Sequence, residues 1–166
     1  VDNLFLAPNP LTQRMPGPRS QATVALDLSH MKDGDVAGFS AFNGDSGILA
    51  VEMNGGRKQL VMSLQSVSLA DDDKRVTEVK TDEKERVDCP SDRVYLRIDA
   101  DFTSKKDEAL FSYSLDNVTW HRIGTPCRMI FDYRRFFMGS KFAIFNYATR
   151  SLGGYVDVDS FTLETL

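Results

Sequence analysis

Short stretches in which apolar and polar residues alternate recur along most of the chain. In residues 93–101, Val94, Leu96 and Ile98 alternate with polar or charged neighbours, which is the period of a strand with one buried face. Other stretches with strand-like patterning are residues 23–28, 36–43, 48–53, 59–64, 108–115, 141–147 and 155–163. No stretch of about ten residues shows a helical period, so the pattern predicts an all-β chain.

Glycine, asparagine and aspartate separate these stretches. Asn54-Gly55-Gly56 between two apolar runs predicts a β-hairpin, because Asn-Gly readily adopts the positive φ angles of a two-residue turn. Asp116-Asn117 tolerates a left-handed corner before Trp120. Turns every eight to twelve residues or so, without crossover helices, predict about ten short strands in an antiparallel two-sheet sandwich or jelly roll. We expect residues 1–166 to form one such domain.

Two regions lack a clear strand pattern. The prolines of residues 1–20 remove backbone donors and restrict the residues before them, so we expect an extended edge or a loop there. Residues 70–86 are rich in charges of both signs and predict a solvated edge ribbon or a long loop.

The last two predicted strands have unusual patterns. In residues 141–147 both alternating sets contain aromatic or β-favouring residues, which predicts a strand whose two faces are both partly covered. In the final stretch, Asp157 and Asp159 share one alternating set with Tyr155, Phe161 and Leu163. These two carboxylates therefore require a special environment, or the strand twists at that point.

Composition narrows the possible partners and cross-links. The net charge of −4 gives no reason to expect nucleic acid or an anionic membrane surface as a partner. No apolar run approaches the roughly 20 residues that span a bilayer. The two cysteines, Cys89 and Cys127, form neither a disulfide framework nor a zinc pattern, which leaves one disulfide or two free thiols.

Several segments, in this order along the chain, resemble one known family. They are Leu11-Thr12-Gln13-Arg14, residues 31–38 (MKDGDVAG), residues 113–120 (YSLDNVTW), residues 137–148 (FMGSKFAIFNYA) and residues 153–161 (GGYVDVDSF). Their order is similar to that of the C-terminal concanavalin A-like β-sandwich of glycoside hydrolase family 43, parts of which are classed as carbohydrate-binding module family 91. Members usually begin with another strand or two before the Leu-Thr-Gln-Arg segment, which we expect to lie outside this chain.

This resemblance implies a non-catalytic accessory domain. In the family, mostly β-xylosidases and α-arabinofuranosidases, the catalytic acids lie on a separate five-bladed propeller, the expected partner within a longer parent chain. Oligosaccharides of the xylan or arabinan type are the expected ligands. A phenylalanine of this module reaches the substrate pocket, which points to Phe136 or Phe137; alternatively, one of them is core and the other covers a sheet edge.

Asp157 and Asp159 are candidate calcium ligands. Carboxylates at alternate strand positions point to one face, and Ca²⁺ binds several oxygens at once. Similar modules often hold a structural calcium with an aspartate of the last strand. The alternative is that both carboxylates are solvated or hydrogen-bonded.

Four aromatic residues could stack on sugar rings, whose C–H faces suit an aromatic plane. Of these, Tyr95 and Trp120 are our candidates for substrate binding; Tyr113 and Tyr147 are the others, and core or interface positions are the alternative. His30 and His121 lie in no catalytic motif, and no pair of carboxylates can be assigned to glycoside cleavage from sequence spacing. A free-standing lectin-like module and a small jelly-roll glycosidase remain the alternative functions.

Overall fold

Two antiparallel sheets make up the fold. The computed structural model describes residues 1–8, 10–70, 75–104, 106–130 and 139–166. The first sheet has the order β1-β11-β3-β4-β5-β6, with bounds β1 Leu11–Arg14, β11 Lys141–Ala148, β3 Asp35–Phe42, β4 Ser46–Asn54, β5 Arg57–Leu69 and β6 Val76–Asp88. The second has the order β10-β8-β7-β2-β12, with β9 also paired to β8, and bounds β10 Cys127–Arg128, β8 Glu108–Ser114, β7 Arg93–Asp101, β2 Arg19–Asp27, β12 Asp157–Thr165 and β9 His121–Arg122. A short 3-10 helix, Leu4–Leu6, precedes the strands.

The architecture confirms the predicted all-β sandwich. Phe39 and Leu49 of the first sheet and Leu96 and Phe111 of the second are at most 1% exposed, and they belong to one continuous core between the sheets. Burial of side chains of this size contributes about 1.5–3 kcal/mol each. Across the described residues, no helix is long and apolar enough to cross a membrane.

The β4–β5 hairpin is confirmed, and its turn lies one residue later than Asn54-Gly55. Asn54 still pairs with Arg57, so the two turn residues are Gly55 and Gly56. Their φ angles of 58° and 74° are those that a two-residue turn between twisted strands requires. Two consecutive glycines allow both angles without a steric cost.

The edges of the first sheet come from the two regions without a clear pattern. Within residues 1–20, β1 forms one edge by pairing with β11. The strand predicted to begin at residue 23 begins at Arg19, because pairing with β7 on one side and β12 on the other extends it. Strand β6 is the opposite edge of the first sheet, mostly exposed, which confirms the edge ribbon predicted for residues 70–86.

Strand β11 is covered on both faces, as its sequence predicts. Phe142 lies in the core between the sheets. On the other face, Phe145 joins a second apolar cluster with Leu4, Ile48 and Ala50. The N-terminal 3-10 helix therefore covers part of the outer face of the first sheet.

The last strand contains a β-bulge, which explains why Asp157 and Asp159 share one alternating set with apolar residues in the sequence. Pairing with β2 shifts register between Val158 and Ser160, so Asp159 is the extra residue. After the shift, Phe161 pairs with a fully buried residue of β2 and lies on the core side with Val158, whereas Asp157 lies on the outer side. Simple alternation placed Phe161 on the face of the carboxylates, and the bulge corrects that assignment.

Both cysteines are free and buried in the core. Burial raises the pKa of the Cys127 thiol to about 12, with a further contribution from Asp45. Burial also raises the pKa of Cys89. Of the two possibilities left open by the sequence, the structure has two separate thiols.

Candidate functional site

Tyr95, Arg97 and Trp120 lie on the outer face of the second sheet, and together we name them the Trp120 patch. Tyr95 and Arg97 are two residues apart on β7, so both side chains leave the sheet on the same side. The Arg97 guanidinium lies over the Trp120 ring, with Cζ 3.6 Å from the ring centroid, in a cation–π contact. Arg97 Nε donates a hydrogen bond to Thr23 Oγ1 at 3.0 Å. The patch thus combines two partly exposed aromatic planes with an oriented arginine.

The turn that precedes Trp120 is organised by one carboxylate. Asp116 accepts hydrogen bonds from the backbone N–H groups of Val118 and Thr119, both at 2.8 Å, and from Ser114 Oγ at 2.9 Å. Asn117 has a φ of 61°, which confirms the predicted left-handed corner. The hydrogen bonds from Thr119, Val118 and Ser114 lower the pKa of Asp116 from 3.8 to about 2. The ionised carboxylate therefore stabilises the turn that positions Trp120 on the outer face of the second sheet.

We expect Asp116→Asn to weaken the dependence of stability on acid pH. Because the folded-state pKa of about 2 lies below the ordinary value of 3.8, the Asp116 contribution is present above that ordinary value and is lost as pH falls toward 2. The stability difference between wild type and variant should therefore be largest near neutral pH and shrink on acidification. Urea unfolding at a series of acid pH values measures this difference. Val118→Thr, an exposed change in the same turn, is the control and should follow the wild-type profile; a constant difference for Asp116→Asn would contradict the prediction.

Ion pairs surround the patch on the same face. Partly exposed pairs of this kind contribute little to stability, because solvent screens their attraction. They do neutralise the face, which favours a ligand of low charge over a polyanion. The pairs are Arg93–Asp159, Arg122–Asp99 and Arg19–Asp101.

Phe136 and Phe137, the predicted pocket residues, lie outside the described residues. The described residues that flank their segment line a depression of about 460 Å³. Asn43 connects the two flanks, because its Nδ2 donates to the Ile130 carbonyl at 3.1 Å and lies 3.5 Å from Ser140 Oγ. Asn43 is buried at the β3–β4 turn, so its side-chain amide holds together the described residues on the two sides of the segment. Sequence reasoning missed this role of Asn43.

Comparison with known proteins places the chain in a family. A family model, the beta xylosidase C-terminal concanavalin A-like domain of glycoside hydrolase family 43, matches residues 2–164. This chain belongs to that family.

Three relatives show how this family 43 domain occurs in longer proteins. The beta-xylosidase of Formosa agariphila is 26% identical over 164 residues, which are 98% of this chain and 24% of that protein. A bifunctional GH43-CE protein of Bacteroides eggerthii is 36% identical with a TM-score of 0.86, over 99% of this chain and 20% of its own. A GH43 glycoside hydrolase engineered to display both endo-xylanase and exo-arabinofuranosidase activity is 32% identical with a TM-score of 0.85, over 99% of this chain and 32% of its own. The chain thus spans less than a third of each relative.

The carboxylates predicted to bind calcium in this family 43 domain lie at the edge of the second sheet. Asp159 forms an ion pair with Arg93, and Asp157 stands opposite Asp27. Calcium takes six to eight oxygen ligands. In the described ranges no three His, Cys, Asp or Glu side chains are grouped to hold a metal. The two carboxylates do not by themselves fit a calcium site, and the calcium assignment stays a prediction.

A second polar constellation contains His30. Ser29 Oγ donates to Asp27 Oδ1 at 2.6 Å and lies 3.2 Å from His30 Nδ1. In a serine nucleophile the hydroxyl gives its proton to the histidine, whereas here the carboxylate receives that hydrogen bond. The hydroxyl is therefore not activated, and the His30 ring instead stacks on Tyr155 with centroids 4.4 Å apart.

The structure brings together only two of the four candidate sugar-stacking aromatics. Tyr95 and Trp120 share the Trp120 patch, whereas Tyr113 packs against the core and Tyr147 belongs to the second apolar cluster. Burial, together with Glu52, raises the pKa of Tyr147 to about 12. Sequence reasoning missed Arg97, although its position two residues after Tyr95 on an alternating strand was a usable signal.

Proposed function

We propose that this domain is a non-catalytic accessory module of a longer family 43 glycoside hydrolase that acts on xylan- or arabinan-type glycans. The observation that carries the proposal is the family match over residues 2–164, with relatives in which the similar segment is a minor part of a longer enzyme. In this proposal the domain packs against a five-bladed catalytic propeller and shapes its substrate pocket. Phe136 or Phe137 supplies the contact to the sugar.

Among the described residues, the carboxyl groups whose pKa values shift clearly are not suited to act as the general acid of a glycosidase. A glycosidase needs a general acid whose pKa is raised, so that it holds a proton near neutral pH. Hydrogen bonds and cations instead lower the pKa values of the carboxyl groups that shift clearly in the described structure. These groups are Asp27, Glu83, Asp88, Asp101 and Asp116.

Removal of residues 1–166 from the parent enzyme tests the accessory role. We expect the truncated enzyme to lose at least roughly tenfold in kcat/KM on xylo-oligosaccharides, because a missing pocket contact of about 1.4 kcal/mol has that effect. The isolated domain should release no reducing sugar. The measurement is steady-state hydrolysis, with circular dichroism to confirm that each piece is folded.

Point variants separate pocket shaping from a loss of stability. Phe136→Ala and Phe137→Ala in the intact parent enzyme should differ, with only one of them lowering kcat/KM. Phe131→Ala, in the same segment, is the matched control. Hydrolysis by the isolated domain, or a truncated enzyme with full activity, would contradict the proposal.

A lectin-like module is the second candidate, and the Trp120 patch favours it. The C–H face of a pentose or hexose ring can stack on an aromatic plane, and a half-buried arginine beside it can donate hydrogen bonds to hydroxyl groups. The neutralised surroundings suit an uncharged sugar. This candidate predicts measurable affinity of the domain alone for xylan, whereas a pure accessory domain should show little.

Trp120→Ala should weaken any binding of soluble xylan by roughly 3- to 10-fold, since an aromatic contact contributes about 0.5–1.5 kcal/mol. Affinity electrophoresis of the domain in xylan-containing gels measures the change. Val118→Ala in the same turn is the control, because Val118 is 80% exposed and should not affect binding. Equal retardation of Trp120→Ala and wild type would exclude the patch as the sugar site.

A further inference from the structure

The ribbon formed by β5 and β6 extends beyond the edge of the second sheet. Both of its strands are 13 residues long, whereas the edge strand β10 has two residues. Met62 of β5 and Cys127 of β10 are buried in the core that the two sheets share. Further along the ribbon, Ser66 lies on the same face as Met62, and both Ser66 and its pairing partner Lys80 are exposed. The inner surface of the ribbon therefore changes from apolar to polar near the end of the second sheet.

A cleft of about 360 Å³ lies between this polar surface and β10. Leu64 of β5, together with Pro126 and Cys127 next to it across the cleft, supplies apolar walls. Lys80 lines the cleft from the ribbon and Arg128 from β10. Small-molecule sites in proteins begin at a volume of about 300 Å³ and combine apolar walls with a few polar groups. The cleft therefore suits a small ligand, or one residue of a longer ligand.

The four charged residues of the cleft differ in whether their charge already has a partner. Asp82 forms an ion pair with Lys84, and Asp45 accepts a hydrogen bond from a backbone N–H group of β5 at 3.2 Å. The exposed side chains of Lys80 and Arg128 form no hydrogen bond or ion pair with another described residue. Although the chain carries a net charge of −4, this cleft thus offers two cations to a ligand.

We propose that the cleft binds a uronic acid residue of a glycan. The sugar carboxylate pairs with Lys80 and Arg128, because a guanidinium binds a carboxylate through two parallel hydrogen bonds and an ammonium adds a point charge. The ring hydroxyl groups donate to Asp45 and Asp82, whose carboxylate oxygens accept more than one hydrogen bond each. One face of the ring lies against the apolar wall at Leu64.

A uronic acid fits this set of groups better than other anions do. It carries one negative charge and several hydroxyl donors, whereas phosphate brings a higher charge that Asp45 and Asp82 repel. A simple carboxylate such as acetate has no hydroxyl groups for these two side chains. The inference rests on the proposed function, because the expectation that the ligand is a glycan comes from the parent hydrolase.

Binding of single sugars to the parent protein tests the proposal. Methyl α-D-glucuronoside and methyl α-D-glucoside differ only in a carboxylate, and neither is a pentoside, so cleavage by a xylosidase or arabinofuranosidase does not interfere. Titration followed by saturation-transfer NMR should give roughly tenfold or tighter binding of the glucuronoside, since its carboxylate makes charge-assisted hydrogen bonds. Methyl α-D-galacturonoside is the third probe, and the preferred uronoside identifies the type of acidic glycan. Equal affinity for the glucuronoside and the glucoside, or no binding of any uronoside, would overturn the proposal.

Variants of the two cations assign the binding to this cleft. Lys80→Gln and Arg128→Gln should each weaken glucuronoside binding roughly 5- to 10-fold, and both changes are at exposed positions that the fold tolerates. Arg75→Gln removes an exposed cation of the same ribbon outside the cleft and is the matched control, with wild-type affinity expected. Unchanged affinity in both cleft variants would overturn the proposal.

A carboxylate without a sugar ring separates recognition of a uronic acid from attraction of any anion. Sodium acetate at the concentration of the glucuronoside should displace little of it. Equal competition by acetate would show that the cleft recognises charge alone, and it would also overturn the proposal. The accessory role is measured by the loss of kcat/KM on truncation, with substrates that contain no uronic acid, so failure of this inference is distinguishable from failure of the proposed function.

Discussion

Replacement of Phe39 by alanine is expected to lower the free energy of unfolding by about 3–5 kcal/mol. Phe39 is 0% exposed, stacks on Phe142 with centroids 5.8 Å apart, and meets Phe161 across the sandwich. Its removal leaves a cavity between the sheets that neighbouring strands, fixed by backbone pairing on both sides of β3, cannot fill. Because native domains are stable by only about 5–15 kcal/mol, this is a large fraction of the total.

Urea unfolding followed by tryptophan fluorescence measures this loss. Phe161→Ala is the matched control, since its ring contacts Phe39 but is 38% exposed at the edge of the second sheet. It should cost about 1–2 kcal/mol, because part of its surface already meets solvent. Equal losses of stability for the two variants would contradict the prediction that the fully buried Phe39 contributes more than the partly exposed Phe161.

The local alternation of apolar and polar residues was sufficient to predict strands with one buried face. Residues 93–101 were predicted as a strand, and β7 has the bounds Arg93–Asp101. Here a single alternation runs the whole length, because both neighbours, β2 and β8, pair without a register shift. The β4–β5 hairpin was equally accessible from its Asn-Gly-Gly sequence, but the position of its turn at Gly55-Gly56 is set by the pairing of Asn54 with Arg57.

Pairing between strands that are distant in sequence explains the features that the local alternation did not predict. The bulge at Asp159 depends on how β12 pairs with β2, more than a hundred residues earlier in the chain. Alternation counted along the chain cannot detect an extra residue, so Phe161 was placed on the wrong face. The early start of β2 at Arg19 has the same origin, because its first residues are strand only through their neighbours.

In the candidate site, too, single residues could be predicted from the sequence, whereas contacts between distant residues could not. Tyr95 and Trp120 were predicted separately from composition, and the structure brings them to one face through the β7–β8–β9 arrangement. Arg97 links Trp120 to the sheet, and Asn43 holds the flanks of the segment with Phe136 and Phe137. Both are contacts between residues distant in sequence, so their roles became visible only with the fold.

Gly47 is the position at which an added methyl group should most disturb the spacing of the sheets. It lies on the core side of β4, and a Cβ there would lie 2.9 Å from Phe111 Cε2 and 2.9 Å from Cys127 Cβ. Phe111 and Cys127 belong to the second sheet and are 1% and 3% exposed, so neither can move into solvent. We expect Gly47→Ala to cost about 1–3 kcal/mol through overpacking, and Gly47→Val to cost more.

A double-mutant cycle with Phe111→Leu tests this physical reason. The leucine removes the ring atoms that meet the new methyl group, so Gly47→Ala should cost less in the Phe111→Leu background than in the wild type. Because the two residues are in contact, the expected interaction energy is about 0.5–3 kcal/mol, measured by urea unfolding of the four proteins. An additive cycle would mean that the cost of Gly47→Ala arises within β4 itself. In that case the close approach of the Phe111 ring to Gly47 would not determine the distance between the two sheets at this point.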